Sequence, residues 1–259
     1  MNVGRILLLV TVSLAAAPAP PPAPLSIAAA SDLQSILPAL AERFERETGR
    51  RATLTFGSSG NFFSQIRNGA PFDLFFSADV EYPTRLEAAG LTEPGTRYPY
   101  AVGAIVLWTR SDSRLDLTRG LEVLTDTSVR RIAIANPEHA PYGRAAVAAL
   151  KHERLYDRVR AKFVLGENVS QAAQLVQSGN AEAGLIALSL ARAHSLRNSG
   201  VYVDVPASFY PTIEQAAVVL RTSRQKNAAR QFLMFLGHPD IVQALQDAGF
   251  AAPRAVTVR

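Results

Sequence analysis

Cysteine is absent from the 259 residues, which rules out disulfides as a source of stability and leaves no thiol for lipid attachment. Packing of the core has to hold the fold. A strong excess of one charge is also missing: 27 Lys plus Arg stand against 22 Asp plus Glu, a net charge of +5. The basic groups Arg50-Arg51, Arg130-Arg131 and Arg158/Arg160/Lys162 are isolated and carry no interleaved aromatics, so no nucleic-acid partner is expected. The four histidines, at positions 139, 152, 194 and 238, share no metal-ligand spacing, and no zinc site emerges. No apolar stretch approaches the ~20 residues that a membrane helix needs.

What is present begins with residues 1–17, which read as a secretory signal. Arg5 supplies the positive start, Ile6–Leu14 the apolar stretch and Ala15-Ala16-Ala17 the small residues that precede a cut. Pro18–Pro24 (PAPPPAP) is a stiff spacer, so residues 1–24 lie outside the folded part and an exported protein is expected. The remaining length, with the chain 48% hydrophobic, suffices for two packed cores.

The folded part opens on Leu25–Ala30, an apolar run that stops at Ser31, where a helical pattern starts. The AAASDL stretch thus delivers a strand end to a helix start, where unpaired N–H groups and the helix dipole favour an anion. A helix is predicted over Leu33–Thr48, with Ser31 and Gln34 at capping-box spacing and Pro38 as an internal bend. Strands follow at Arg51–Phe56 and Asp73–Ser77, each leading to a helix, which implies a parallel, doubly wound sheet. The rhythm restarts with one long strand, Ala101–Trp108, and a helix near Leu121. Strands Arg131–Ala135, Phe163–Leu165 and Gly184–Ala187 then alternate with helices Gly143–Leu150 and Val169–Gln177. Strands Val201–Val205 and Gln215–Leu220 close this part, and helices Asn227–Leu236 and Asp240–Ala248 finish the chain. One lobe is therefore assigned to 25–104 plus 210–259 and the other to 105–209, joined by two crossover strands, with Trp108 near the crossover as a fluorescent reporter of closure.

Four loops share one character. AAASDL and Gly57-Ser58-Ser59-Gly60-Asn61 in the first lobe, and Ala140-Pro141-Tyr142-Gly143 and Glu167-Asn168-Val169-Ser170 in the second, each offer amides and hydroxyls at a helix start. A ligand between the lobes would be held by neutral donors alone.

The chain resembles the periplasmic molybdate-binding proteins of ABC transporters from Leu25 to Ala252. The resemblance is carried by AAASDL, FGSSG at Phe56–Gly60, GAPFDLFFSAD at Gly69–Asp79, IANPEHAPYGRAA at Ile134–Ala146, GENV at Gly166–Val169 and the closing Gly249-Phe250. It implies an α/β, two-lobed periplasmic binding protein of type II-like architecture, each lobe a mainly parallel sheet wrapped by helices. It also implies capture of molybdate or tungstate in the periplasm by a monomer, without a cofactor, and delivery to an inner-membrane permease with an ATPase partner. Carried over by position, Ser31 and Ser59 give hydroxyl and amide, Tyr142 and Val169 give amides, and the Asp32 amide adds a donor; any contact with the metal runs through the molybdate oxygens. Many relatives place a tyrosine where this chain has Ala187, so that phenol donor is missing, and the Tyr142 phenol or an extra loop amide is the candidate to replace it.

Other readings stand beside this one. Ser31 and Ser59 taken singly are ordinary caps or turn residues, and Asp32 serves the helix dipole better than it serves a dianion. Asp73 and Asp79 flank a buried strand as caps more naturally than as a metal pair, and His139 scaffolds its loop. Sulfate or another tetrahedral oxyanion would suit the same donors. A secreted serine-dependent hydrolase is the competing class, but GSSG is not the G-x-S-x-G elbow, and no histidine or acid has a discernible partner role.

Overall fold

The computed structural model describes residues 23–253, so the signal and all but the end of the spacer lie outside the described residues. Strand β1 (Leu25–Ala30) is an interior strand of the first sheet, pairing in parallel with β2 (Ala52–Gly57) and β3 (Leu74–Ser77). Alternation along these strands feeds two cores: Ile27, Ala29, Leu74 and Phe76 face one side, Ala28 and Phe75 the other. Helix α1 (Leu37–Thr48) covers the first side, packing Phe44 edge-on to Phe232, while α2 (Ser59–Arg67) and α3 (Glu81–Ala88) cover the second.

The order of the first sheet is β2-β1-β3-β10-β4, with β4 spanning Tyr98–Gly103 and β10 Ile213–Val219. The second sheet repeats the plan as β7-β6-β8-β5-β9, built from β5 (Ile105–Arg110), β6 (Ile132–Ala135), β7 (Phe163–Gly166), β8 (Ala183–Ala187) and β9 (Gly200–Asp204). In each sheet one strand, β10 or β5, runs against its two neighbours. That strand is the one that receives the chain from the other lobe. Helices α4 (Pro141–His152), α5 (Tyr156–Val159), α6 (Val169–Gln177), α7 (Leu188–Arg192) and α8 (His194–Arg197) belong to the second half, and α9 (Lys226–Leu236) and α10 (Pro239–Asp247) return to the first.

The expected two-lobed α/β architecture is thus present, with local corrections. The predicted helix over Leu33–Thr48 is a 3-10 turn at Ser31–Ser35 followed by α1, separated by Ile36 at φ −130°. Pro38 stands in the first turn of α1, where a missing N–H costs nothing, so it starts a helix instead of bending one. The long strand Ala101–Trp108 is two strands in different sheets, broken at Ala104, and β10, which holds Gln215, lies in the first sheet. Near Leu121 the predicted helix is 3-10 and is divided by Gly120 at φ 57°.

Trp108 is not at the crossover. It is fully buried in the core of the second sheet, paired with Gly184 and Tyr202, so its fluorescence reports that core and not closure. Gly200 is the residue that makes room for it, because a Cβ there would overlap the indole ring and the Thr109 carbonyl. Gly200→Ala is expected to cost about 1–3 kcal/mol by overpacking. Calorimetric melting would register this as a drop of roughly 2–4 °C per kcal/mol.

Candidate functional site

Four chain segments meet between the sheets. The 3-10 turn after β1 brings Ala30, Ser31 and Asp32. The start of α2 brings Gly57, Ser58 and Ser59, the start of α4 brings Ala140, Pro141 and Tyr142, and the start of α6 brings Asn168 and Val169. With Ala78 these residues line a narrow, partly open cavity with room for little more than one water-sized sphere. Neither Lys nor Arg lines it. The cavity has the scale of a small ion, far below that of a sugar or a peptide.

Local sequence explains why donors converge here. Ser59 and Val169 are the first residues of α2 and α6, and Tyr142 follows Pro141 at the start of α4, so their amides have no intrahelical acceptor. Asn168 caps α6 through its side chain, accepting from the Gln171 amide at 3.0 Å, and Ser58 caps α2 by accepting from the Asn61 amide at 3.3 Å. The capping box predicted for Ser31 is absent. Its hydroxyl oxygen instead accepts from the Ser170 amide at 3.4 Å, across the cleft.

The serine hydroxyls are arranged to donate. Ser59 is fully buried, and its oxygen accepts from the Ala78 amide at 2.9 Å. With that lone pair engaged, the hydroxyl proton has no partner in its own lobe and is available to an anion. Ser31, 2% exposed, repeats the pattern more loosely.

Asp32 differs from both. Its side chain belongs to a buried chain of donors: Tyr100 Oη donates to Gln215 Oε1 at 2.7 Å, while Gln215 Nε2 and Tyr142 Oη donate to Asp32 Oδ2 at 2.7 and 2.9 Å. Burial pushes the Asp32 carboxyl up to about 6, against the opposing hydrogen bonds of Gln215 and Tyr142 and the nearby amides of Asp32 and Leu33. Burial and the charge of Asp32 hold both phenols well above the ordinary tyrosine range, so both remain donors.

Two expectations about donors change. The Tyr142 phenol, offered as a replacement for the absent tyrosine, has its single proton committed to Asp32, so only its amide remains for a ligand. Ala187 is buried at the end of β8 opposite Ile105 and is not among the residues that line the cavity. Tyr142→Phe therefore removes a bond to Asp32 and not one to an anion. It is expected to cost about 1–3 kcal/mol of stability, read as a lower melting temperature.

The two lobes touch around the cavity. Gly60 N donates to the His139 carbonyl at 2.9 Å, Ser58 Oγ and His139 Nδ1 are 2.9 Å apart, and Asn61 Nδ2 donates to Glu167 at 3.3 Å. Ser189 Oγ donates to the Asp32 carbonyl at 2.9 Å, and Arg144 pairs with Asp79 while donating to Tyr82 Oη at 3.2 Å. His139 therefore bridges lobes in addition to shaping its own loop. Asp73 accepts from Ser26 N and Ser223 Oγ, so both candidate metal carboxylates have other partners, and no cluster of metal-ligating side chains occurs among the described residues.

Ser58, His139 and Glu167 follow one another in the order of a hydrolase triad. Glu167, however, stands 3.6 Å from His139 Nε2 with its side chain 68% exposed, and the Ser58 oxygen is occupied as a helix cap. The missing element is a carboxylate held firmly enough to orient the imidazole. Sequence reading passed over Gln215, Tyr100 and Ser58. Gln215 follows Glu214 ahead of the apolar run of β10, and only the alternation that turns Glu214 outward and Gln215 inward marked it.

Comparison with known proteins adds an independent line. A family model for bacterial extracellular solute-binding proteins matches residues 25–251. The chain is 37% identical over 224 residues to the molybdate-binding protein ModA of Azotobacter vinelandii, covering 86% of this chain and 88% of that one. The corresponding protein of Rhodobacter capsulatus is 34% identical over 223 residues, with 86% of each chain covered. The solved periplasmic molybdate-binding protein of Azotobacter vinelandii superposes with a TM-score of 0.83 at 35% identity, over 89% of this chain and 100% of that structure.

Proposed function

The chain belongs to the bacterial extracellular solute-binding proteins, and from that premise we propose that it captures molybdate, and tungstate with it, in the periplasm. We further propose that it acts as a monomer and passes the ion to an ABC-type permease. The observation that carries this reading is the convergence of four helix starts, with two proton-bearing serines and no cation, on a cavity of ionic size. Several fixed dipoles in a dry cleft replace the hydration shell of a dianion without a counter-charge. In this reading Ser31 and Ser59 donate through hydroxyl and amide, and Asp32, Tyr142 and Val169 through amides. Every contact is a hydrogen bond to oxygen, and no side chain ligates the metal of the cargo.

The strand breaks support a hinge. We assign 25–104 plus 210–259 to one lobe and 105–209 to the other, with Ala104 and the stretch before β10 as the points of bending. The contacts that span the cleft are those expected once the lobes have shut over a ligand.

A thermal-shift and calorimetry panel of molybdate, tungstate, sulfate and phosphate tests the assignment. Molybdate at about a thousandfold over Kd is expected to stabilise the protein by ~4 kcal/mol. For a chain of this size that is a rise of about 10 °C. A shift by sulfate and none by molybdate would overturn the ion. Ester hydrolysis that disappears in Ser58→Ala or Ser59→Ala would overturn the binding role itself.

A further inference from the structure

The Asp32 carboxyl group sits where a capture site for dianions should have no carboxylate. It is fully buried, belongs to a residue that lines the cavity, and has both of its side-chain donors on the same oxygen. The other oxygen, Oδ1, has no hydrogen-bond partner among the described residues. An ionised carboxylate shares its charge over two equivalent oxygens and leaves neither bare in a buried place. A neutral acid is asymmetric: its carbonyl oxygen accepts two hydrogen bonds, and its other oxygen carries the proton. The Asp32 and Leu33 amides favour the ionised form, but burial outweighs them, and the one-sided pairing fits the acid, with Oδ2 as the carbonyl.

The surroundings point the same way. The groups packed on the side chain are Tyr142 from α4, Gln215 from β10 and Tyr100 from β4, with Ser189 from α7 on the Asp32 carbonyl. None of them is cationic. The nearby Asp79–Arg144 pair is engaged across the cleft, His139 and Glu167 face each other within the second lobe, and none of the four bonds to Asp32. A dianion entering the cavity therefore faces the Asp32 charge with no cation to offset it, and the buried carboxyl, already pushed up to about 6, is raised further.

We propose that Asp32 works in the capture site as a neutral carboxylic acid, so that each dianion captured brings one proton with it. The inference rests on the dianion reading given above. Its sign is fixed: wherever the free protein holds Asp32 ionised, capture takes up a proton and affinity falls as pH rises, and where the proton is already in place affinity is flat.

Calorimetric titration of the mature chain with molybdate, on both sides of pH 6 and in buffers of different ionisation enthalpy, counts the protons directly. Above that pH the expected uptake is close to one proton per molybdate, with Kd weakening about tenfold per pH unit. Asp32→Asn is expected to lose both the uptake and the pH dependence. Wild-type binding without uptake overturns the inference while leaving the function intact, and uptake that survives in Asp32→Asn assigns the proton elsewhere and overturns it too. Should Asp32→Asn not fold, the wild-type infrared difference spectrum decides: a protonated-carboxyl band gained on adding molybdate supports the inference, and its absence overturns it. A chain that binds neither molybdate nor tungstate removes the functional reading and this inference together.

Discussion

Gly60→Ala is expected to abolish tight capture while leaving both lobes folded. Gly60 is the second residue of α2, and its amide donates to the His139 carbonyl of the opposite lobe at 2.9 Å. A Cβ at this position would lie 2.6 Å from that carbonyl oxygen, 2.9 Å from His139 Cα and 2.8 Å from Tyr82 Oη. The phenol belongs to the same lobe and is the end of a side chain. The His139 backbone is fixed by its loop, so the lobes have to stand apart. Within α2 itself alanine is the better helix former by about 1 kcal/mol, so the free protein should melt no lower. With the cleft held open, an anion on Ser31 and Ser59 loses the amides of Tyr142 and Val169. Hydrogen bonds to a charged group contribute about 1.5–3 kcal/mol each, so Kd should weaken about 10²–10⁴-fold. Small-angle scattering should then report no contraction on adding molybdate. Wild-type affinity in Gly60→Ala would mean that closure over His139 is not part of capture.

The sequence made the repeated strand-to-helix rhythm plain because parallel strands covered on both faces read as short apolar blocks, as in LFFS of β3 and IAIA of β6. It also exposed all four loops, since caps and first-turn prolines are local signals: Asn168 with Gln171 and Pro141 behave as their spacing implies. The errors came where tertiary contacts overrule local pattern. Ser31 has capping spacing, yet its oxygen is claimed by Ser170, 139 positions away. Ala101–Trp108 is uniformly apolar, and nothing in eight such residues announces that Ala104 passes the chain from one sheet to the other. The network on Asp32 joins positions 32, 100, 142 and 215, which only the closed fold brings together.

Replacing both cavity serines by alanine is expected to weaken molybdate binding about 10²–10⁴-fold, each hydroxyl accounting for roughly half of the loss in free energy. The two single variants should nevertheless differ in the absence of ligand. The Ser59 oxygen satisfies the Ala78 amide at 2.9 Å in a site with no solvent access, so Ser59→Ala leaves a buried donor unpaired and should lower stability by about 1–3 kcal/mol. The Ser31 oxygen meets the Ser170 amide at 3.4 Å, a weak bond made only across the cleft, so Ser31→Ala should leave the melting temperature of the free protein nearly unchanged. Ser58→Ala provides the contrast. It removes a helix cap and the contact with His139, which affects stability and closure but takes no donor from the ion, so its affinity loss should be well below that of Ser59→Ala. Paired melting and calorimetry on the four variants separate these roles. An affinity loss in Ser58→Ala that matches Ser59→Ala would shift the donor assignment by one residue along α2, and retention of affinity in the double variant would leave the amides alone as the grip on the anion.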